Sequence, residues 1–197
     1  IYFQNMNKTN SLKIFLWSPM LSNVGTNGAM IGMAQSLKKY SNAKIYLINV
    51  LGEFTKYKSE KFNFIDFFMI NNLIPKTGKI SKYLIIFFSI LSIPFLIRQI
   101  LKHKPNIIIT GLAGFVPCIL KYFFKDLIVI NSIQGYPKLN FLRKFVWKVF
   151  YKKSDYLITM TKKTKKDLVK NIGIDPEKIF IIENPILNRN IKIMSLE

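Results

Sequence analysis

Gly25-Thr26-Asn27-Gly28 stands at the mouth of a predicted helix, after a short apolar strand, Lys13–Ser18, and a loop opened by Pro19. Glycine lets a ligand approach the backbone closely, and a helix N-terminus offers unpaired N–H groups and the positive end of a dipole. That combination suits phosphate. The spacing is not G-x-G-x-x-G, since Gly25, Gly28 and Gly32 lie three and four residues apart, and no Gly-Lys-Ser/Thr follows to make a P-loop. A plain strand-to-helix turn explains the same residues.

A second chemistry-bearing stretch is Lys138–Lys170, with eleven basic residues against two Asp. Phe141, Leu142, Phe145, Val146, Val149 and Phe150 form the apolar stripe of a helix, and Arg143, Lys144, Trp147 and Lys148 lie between or opposite. Basic residues beside aromatics suit an anionic acceptor or anionic lipid head groups. A solvated face over a core stripe is the other reading. A third stretch, Tyr83–Ile97, carries no charge but is flanked by Lys79 and Lys82 and by Arg98, Lys102 and Lys104. As a helix it runs roughly 22 Å. The hydrocarbon core takes about 20 residues, and Pro94 would kink the helix. It is either a core helix or one that lies half in lipid, and both stay open.

Other candidates are weaker. His103, in Lys-His-Lys-Pro at a helix end, is expected on the surface, favoured by the helix dipole, and not as a base. Cys118 lies in an apolar run and reads as a packing residue. One His and one Cys build no metal site, and no Ser/His/Asp or Cys/His set is present, so no catalytic residue and no metal are assigned.

The elements that must position these residues follow from pattern. The chain has 197 residues, a formal charge of +20, 17 Phe and half its residues hydrophobic, with a mean hydropathy of +0.20. A disordered basic tail is excluded by that apolar content, and a disulfide scaffold by the single cysteine. The charge calls for an anionic partner: nucleic acid, a membrane surface or a phosphorylated small molecule. A/T-rich coding, which favours Lys, Asn, Ile and Phe, accounts for part of it. Ile1-Tyr2-Phe3-Gln4 reads as the scar of a tag-removal protease, residues 1–5 are set aside, and no signal peptide follows.

Strands are expected at Lys13–Ser18, Lys44–Val50, Phe62–Asp66, Ile107–Thr110, Leu127–Asn131, Asp155–Met160 and Lys178–Ile182. Helices are expected at Gly25–Tyr40, Lys79–Leu101, Phe115–Phe124, Lys138–Lys153 and Lys162–Asn171. Strands that are apolar throughout, alternating with helices, predict an α/β fold: a Rossmann-like parallel sheet with helices on both faces. Ligands of such sheets bind beyond the C-terminal strand ends, which points to Pro19–Asn27, Gly111–Gly114, Ser132–Lys138 and Thr161–Thr164.

The most specific stretch is Ser154-Asp155-Tyr156-Leu157-Ile158-Thr159-Met160-Thr161, followed by Lys166-Asp167-Leu168, Gly173-Ile174-Asp175-Pro176-Glu177-Lys178-Ile179 and Ile182-Glu183-Asn184-Pro185-Ile186. With Lys104-Pro105-Asn106-Ile107-Ile108, it resembles the N-terminal domain of GT-B-fold glycosyltransferases, in particular the retaining family 4 enzymes. The resemblance spans Lys13 to about Ile186. It implies an acceptor-binding domain over residues 6–186, the start of an interdomain linker at 187–197, and no counterpart here of the C-terminal donor domain, so that this half alone is inactive.

Further expectations follow from that resemblance. A nucleotide-sugar donor is a substrate rather than a cofactor, and a glycosyl group moves to a glycan or polyprenyl-phosphate-linked acceptor of lipopolysaccharide, capsule or a similar polysaccharide. Gly25, Thr26, Asn27 and Gly28 approach the donor diphosphate. Gln134, Gly135, Tyr136 and Thr161 face the sugar and acceptor cleft. Gln134 falls where many members carry the His of a His-Gly pair; a carboxamide cannot move a proton but can hydrogen-bond a sugar hydroxyl. Arg143, Lys144, Trp147 and Lys148 meet the acceptor's anionic part or an anionic membrane surface. The protein is then expected in the cytoplasm, peripheral at the inner face of the cell membrane, with no nucleic acid bound. The rival reading is a basic nucleotide- or nucleic-acid-binding Rossmann-like domain without transferase activity. Against it, no helix-turn-helix, zinc-finger or RNP signature is present, and Lys44–Leu51 supplies no acidic ribose anchor.

Overall fold

The computed structural model describes residues 11–21, 25–59, 62–68, 79–135 and 141–182. Residues 1–5, Tyr136 and the linker at 187–197 lie outside them. Within the described residues, seven strands, β1 (Lys13–Trp17), β2 (Lys44–Asn49), β3 (Asn63–Asp66), β4 (Ile107–Thr110), β5 (Ile128–Ile133), β6 (Tyr156–Thr159) and β7 (Ile179–Ile181), are joined mostly through six α-helices. The helices are α1 (Gly25–Tyr40), α2 (Lys79–Leu91), α3 (Ile93–His103), α4 (Phe115–Leu120), α5 (Phe141–Val149) and α6 (Lys162–Ile172). The sheet order is β3-β2-β1-β4-β5-β6-β7, and every pairing is parallel. This is the expected Rossmann-like parallel sheet with helices.

Side-chain alternation along the strands divides the core in two. Phe15, Trp17, Tyr46, Ile48, Ile108 and Val129 pack under α2, α3 and α4. Their neighbours in sequence, Ile14, Leu16, Ile45, Leu47, Ile107 and Ile109, pack under α1. A third cluster, Leu157, Leu168, Ile172, Ile174 and Ile179, seats α6 on β6 and β7. Burial on both faces is why β1 and β4 carry no alternating polar residues.

Helix ends explain where the sequence pattern and the fold differ. The expected helix over Lys79–Leu101 is two helices, bent by 47°. Pro94 lacks an N–H and its ring crowds the carbonyl of Ile90, so the chain breaks at Ser92, whose hydroxyl donates to the Ser89 carbonyl at 2.7 Å. Among the described residues no single helix is long and apolar enough to cross a membrane. Leu84, Ile85 and Phe88 of α2 pack on the core, while Tyr83, Ile86, Phe87 and Ile90 are exposed. The Phe115–Phe124 helix stops at Leu120, where Tyr122 and Phe123 bond three residues back and tighten the chain into turns. The helix expected over Lys138–Lys153 begins, within the described residues, at Phe141 and ends in a separate 3-10 turn at Tyr151–Lys153.

His103 corrects its expectation. It is half-buried at the end of α3, its ring 4.8 Å from that of Tyr46 and 6.1 Å from that of Phe15. Burial, then the charges of Lys102, Lys13 and Lys44, hold its pKa below the usual value.

Candidate functional site

β1 pairs with β2 on one side and β4 on the other. The chain therefore leaves β1 one way toward β3 and later returns on the other side toward β7. Between the C-terminal ends of β1 and β4 the connections diverge, and a crevice is left at the switch. The Gly111 N–H donates to the Trp17 carbonyl at 2.8 Å and continues the ladder to its floor. Here a cavity of about 340 Å³ opens, lined by residues 110–114 after β4, 131–135 at the end of β5, Thr26 of α1, and Trp147 and Tyr151.

The floor is a polar network sealed by two glycines. The Thr110 hydroxyl donates to Asn131 Oδ1, and Asn131 Nδ2 donates to Ser154 Oγ and, at 3.3 Å, to Cys118 Sγ. Burial raises the Cys118 pKa, so the sulfur stays a thiol and serves the packing expected of it. A Cβ on Gly114 would overlap the Asn131 amide, and one on Gly111 would come within 2.8 Å of Ser18 Oγ. Ala113, between them, holds a left-handed φ of 49°, a conformation that costs an L-residue about 1 kcal/mol or more. The loop is thus fixed from below.

The walls carry the donors. Gln134 Nε2 is shielded from solvent and has no hydrogen-bond partner among the described residues. The indole of Trp147 stacks on the Tyr151 ring at 4.1 Å, with 16° between planes. Burial drives the Tyr151 phenol well above its ordinary pKa, although the Gly114 and Phe115 backbones hydrogen-bond to it. It is neutral near pH 7, and a phenol that accepts N–H groups keeps its proton to donate. An aromatic plate flanked by neutral donors matches the faces and hydroxyls of a sugar.

The residues singled out from sequence are only partly brought together. Gln134, Gly135, Thr26 and Trp147 line the cavity. Trp147 is therefore a wall of the crevice, one turn along α5 from Lys144, and Arg143, Lys144 and Lys148 are exposed. Gly25 and Gly28 are exposed at the start of α1, with open space around Gly25 and only Tyr57 Oη, at 3.9 Å, near a Cβ on Gly28. Asn27 is fully buried, and its amide donates to the Glu53 carbonyl at 3.4 Å. Its side chain ties α1 to the loop after β2 instead of reaching outward. Thr161 does not line the cavity; its hydroxyl accepts from the Thr164 N–H at 3.1 Å and caps α6.

Sequence reasoning passed over Thr110, Asn131, Tyr151 and Glu53. The first two were discernible as polar residues that end runs of isoleucine at C-terminal strand ends. Tyr151 had no such signal, because it reaches the cavity through the turn after α5. Glu53 is fully buried, its two carboxylate oxygens accepting the Val50 and Leu51 N–H groups at 3.1 and 2.7 Å. Desolvation pushes its pKa up to about 8, more than the backbone N–H groups lower it.

Comparison with known proteins bears on the same residues. A glycosyltransferase from Rickettsia africae superposes with a TM-score of 0.60 at 18% identity, covering 88% of this chain and 43% of its own. UDP-N-acetylglucosamine 2-epimerase from Rickettsia bellii gives 0.62 at 12% identity, covering 95% and 48%. The lipopolysaccharide outer core galactosyltransferase WaaB gives 0.55 at 13% identity, covering 89% and 46%. At these identities the likeness is one of fold, and the chain spans less than half the length of each structure. A search of curated proteins finds no match. Residues 57–186, from the 3-10 turn after β2 to the end of β7 and beyond, with every cavity-lining residue but Thr26, match the family described as Glycosyltransferase Family 4. The chain belongs to that family.

Proposed function

We propose that this chain is the acceptor-side half of an enzyme that transfers a sugar from a nucleotide-sugar donor to a glycan or polyprenyl-phosphate-linked acceptor. Lipopolysaccharide, capsule or a related cell-surface polysaccharide is the product class we favour. The observation that carries the reading is the cavity at the switch point, with Gln134 Nε2 unpartnered among the described residues and the Trp147–Tyr151 plate beside it. An unmade hydrogen bond of that kind is costly, and a sugar hydroxyl completes it. The Gly25–Gly28 turn, exposed at the head of α1 next to Thr26, takes the donor diphosphate at the edge of the same crevice.

The transfer works through position rather than proton transfer at Gln134. The carboxamide orients a hydroxyl, the neutral Tyr151 phenol donates a second bond, and the indole excludes water from one sugar face. The fixed floor holds these groups in place before substrate arrives, so little order is lost on binding. The reaction then takes place at the cytoplasmic face of the membrane, where a lipid-linked acceptor is presented.

In protein joined to a donor-binding half, Gln134→Ala should lower sugar-transfer kcat/KM about tenfold, the worth of one hydrogen bond, with an unchanged melting temperature. A wild-type rate in that variant would remove Gln134 from the site. Robust sugar transfer or donor hydrolysis by the 197-residue chain alone would overturn the half-enzyme reading.

A further inference from the structure

Helix α2 is built inside out. Ser81, Ser89 and Ser92 are buried, and the Ser89 and Ser92 hydroxyls donate to the Ile85 and Ser89 carbonyls at 2.6 and 2.7 Å. Leu84, Ile85 and Phe88 fill the same inner side between them. Tyr83, Ile86, Phe87, Ile90 and Leu91 stand on the opposite side and are between 47% and 74% exposed. A helix that faces water carries its polar residues outward. Here the serines turn in and the large apolar side chains turn out. The exposed stripe continues past the bend to Pro94, Arg98, Leu101 and Lys102 of α3.

A contiguous apolar surface of this kind marks a contact. Helix α2 has 13 residues, about 20 Å of helix, against the roughly 30 Å of a hydrocarbon core. It can lie along a bilayer but cannot cross one. Charge and polarity favour that partner. The formal charge of +20 repels a second copy of the chain. No carboxylate occurs from Lys79 to His103 to pair with a basic protein. Protein interfaces make roughly one hydrogen bond per 100–200 Å², and between Lys82 and Arg98 the outer side offers only the Tyr83 hydroxyl to make them. Lys82, Arg98 and Lys102 are exposed on the same two helices, and an anionic head-group layer attracts such cations.

We infer that α2 is a bilayer contact: it lies along an anionic membrane surface, with Phe87 and Ile90 at the acyl boundary and Lys82, Arg98 and Lys102 toward the head groups. Apolar side chains of a helix lying in the interface reach about 5–10 Å below the head groups. The inference rests on the membrane location proposed above and not on the sugar chemistry of the crevice. No residue of α5 takes part in it.

The test uses the whole 197-residue chain, vesicles of phosphatidylcholine with phosphatidylglycerol, and no sugar donor. Cys118 is buried, so a cysteine introduced on the surface takes an environment-sensitive nitrobenzoxadiazole label alone. On vesicles the label of Phe87→Cys should shift to the blue and be quenched by lipids that carry a nitroxide on the acyl chain. The label of Lys166→Cys, at an exposed position of α6, should do neither. Phe87→Gln with Ile90→Gln should weaken vesicle binding about tenfold or more, with an unchanged urea midpoint. Should that variant unfold, the label decides alone. A Phe87→Cys label that stays in water on bound vesicles, an equal response from both labels, or wild-type binding by a folded double variant would overturn this surface and leave the membrane location standing. No binding by the wild type would remove both. A label that turns blue as protein concentration rises, without vesicles, would give the patch to a second copy instead. Because no transfer is measured, none of these outcomes bears on Gln134.

Discussion

Gly114 is the residue on which the switch-point cavity closes. Its Cα lies against the Asn131 amide, where no Cβ fits. Gly114→Ala should destabilise the fold by about 1–3 kcal/mol, the range for overpacking, in urea unfolding. Gly25→Ala, with open space around it, should stay within about 0.5 kcal/mol. Glycines that look alike in sequence thus divide into one that the interior demands and one that it does not. Glu53 makes a different prediction. Folding raises its pKa from 4.5 to about 8, so between those values the native state keeps a proton that the unfolded chain has lost. Its contribution to stability is complete below pH 4.5, falls as pH rises, and levels off above about 8. Urea midpoints measured across that window should decline with pH in the wild type and flatten in Glu53→Gln; an unchanged slope would rule Glu53 out as the source.

At the scale of elements, α5 has two sides with different tasks. Trp147 faces the crevice, while Phe141 and Phe145, 92% and 56% exposed, share a neighbouring side with Lys148, and Lys144 lies between the two. That aromatic and basic side, rather than Trp147, is the part of α5 suited to a head-group region. Phe141→Ser with Phe145→Ser should reduce binding to phosphatidylglycerol vesicles at low salt, with no change in unfolding midpoint, and wild-type binding should fade as salt screens the lysines. Retained binding in the double variant would move the membrane contact elsewhere, for instance to exposed Tyr83 and Phe87 of α2. The helices themselves were legible where periodicity was uninterrupted: α1 runs over Gly25–Tyr40, as its spacing predicts. They were not legible where a terminus depends on tertiary contacts. Pro94 announces a break, but its place at Ser92 is set by backbone bonding that composition does not encode.

For the whole molecule, apolar strands alternating with helices were enough to specify a parallel α/β sheet, because only burial on two faces suits such strands. The site was legible as loops, and less so as side chains. Gln134 and Thr26 reach the cavity, whereas Asn27 turns inward and Thr161 caps a helix. Loop positions follow from topology, but the direction of a side chain depends on its neighbours in space. The charge is similarly divided. Part of the +20 sits on Arg143, Lys144 and Lys148 of α5, and part on Lys121, Lys125 and Lys153 in the turns that lead into β5 and β6.

The central place of β1 has a consequence in time. Its backbone N–H at Lys13 bonds to Asn106, 93 residues later, and one whole edge of the strand waits for β4. At about 5–20 residues per second, a ribosome leaves that edge unpaired for roughly 5 to 20 s. During that interval β1 and β2, both apolar strands, present an open edge to any other nascent chain. Contacts this distant also form slowly even in a finished polypeptide. Slower growth or lower temperature during expression bears on this interval, and the arrival of Ile107–Thr110 brings it to an end.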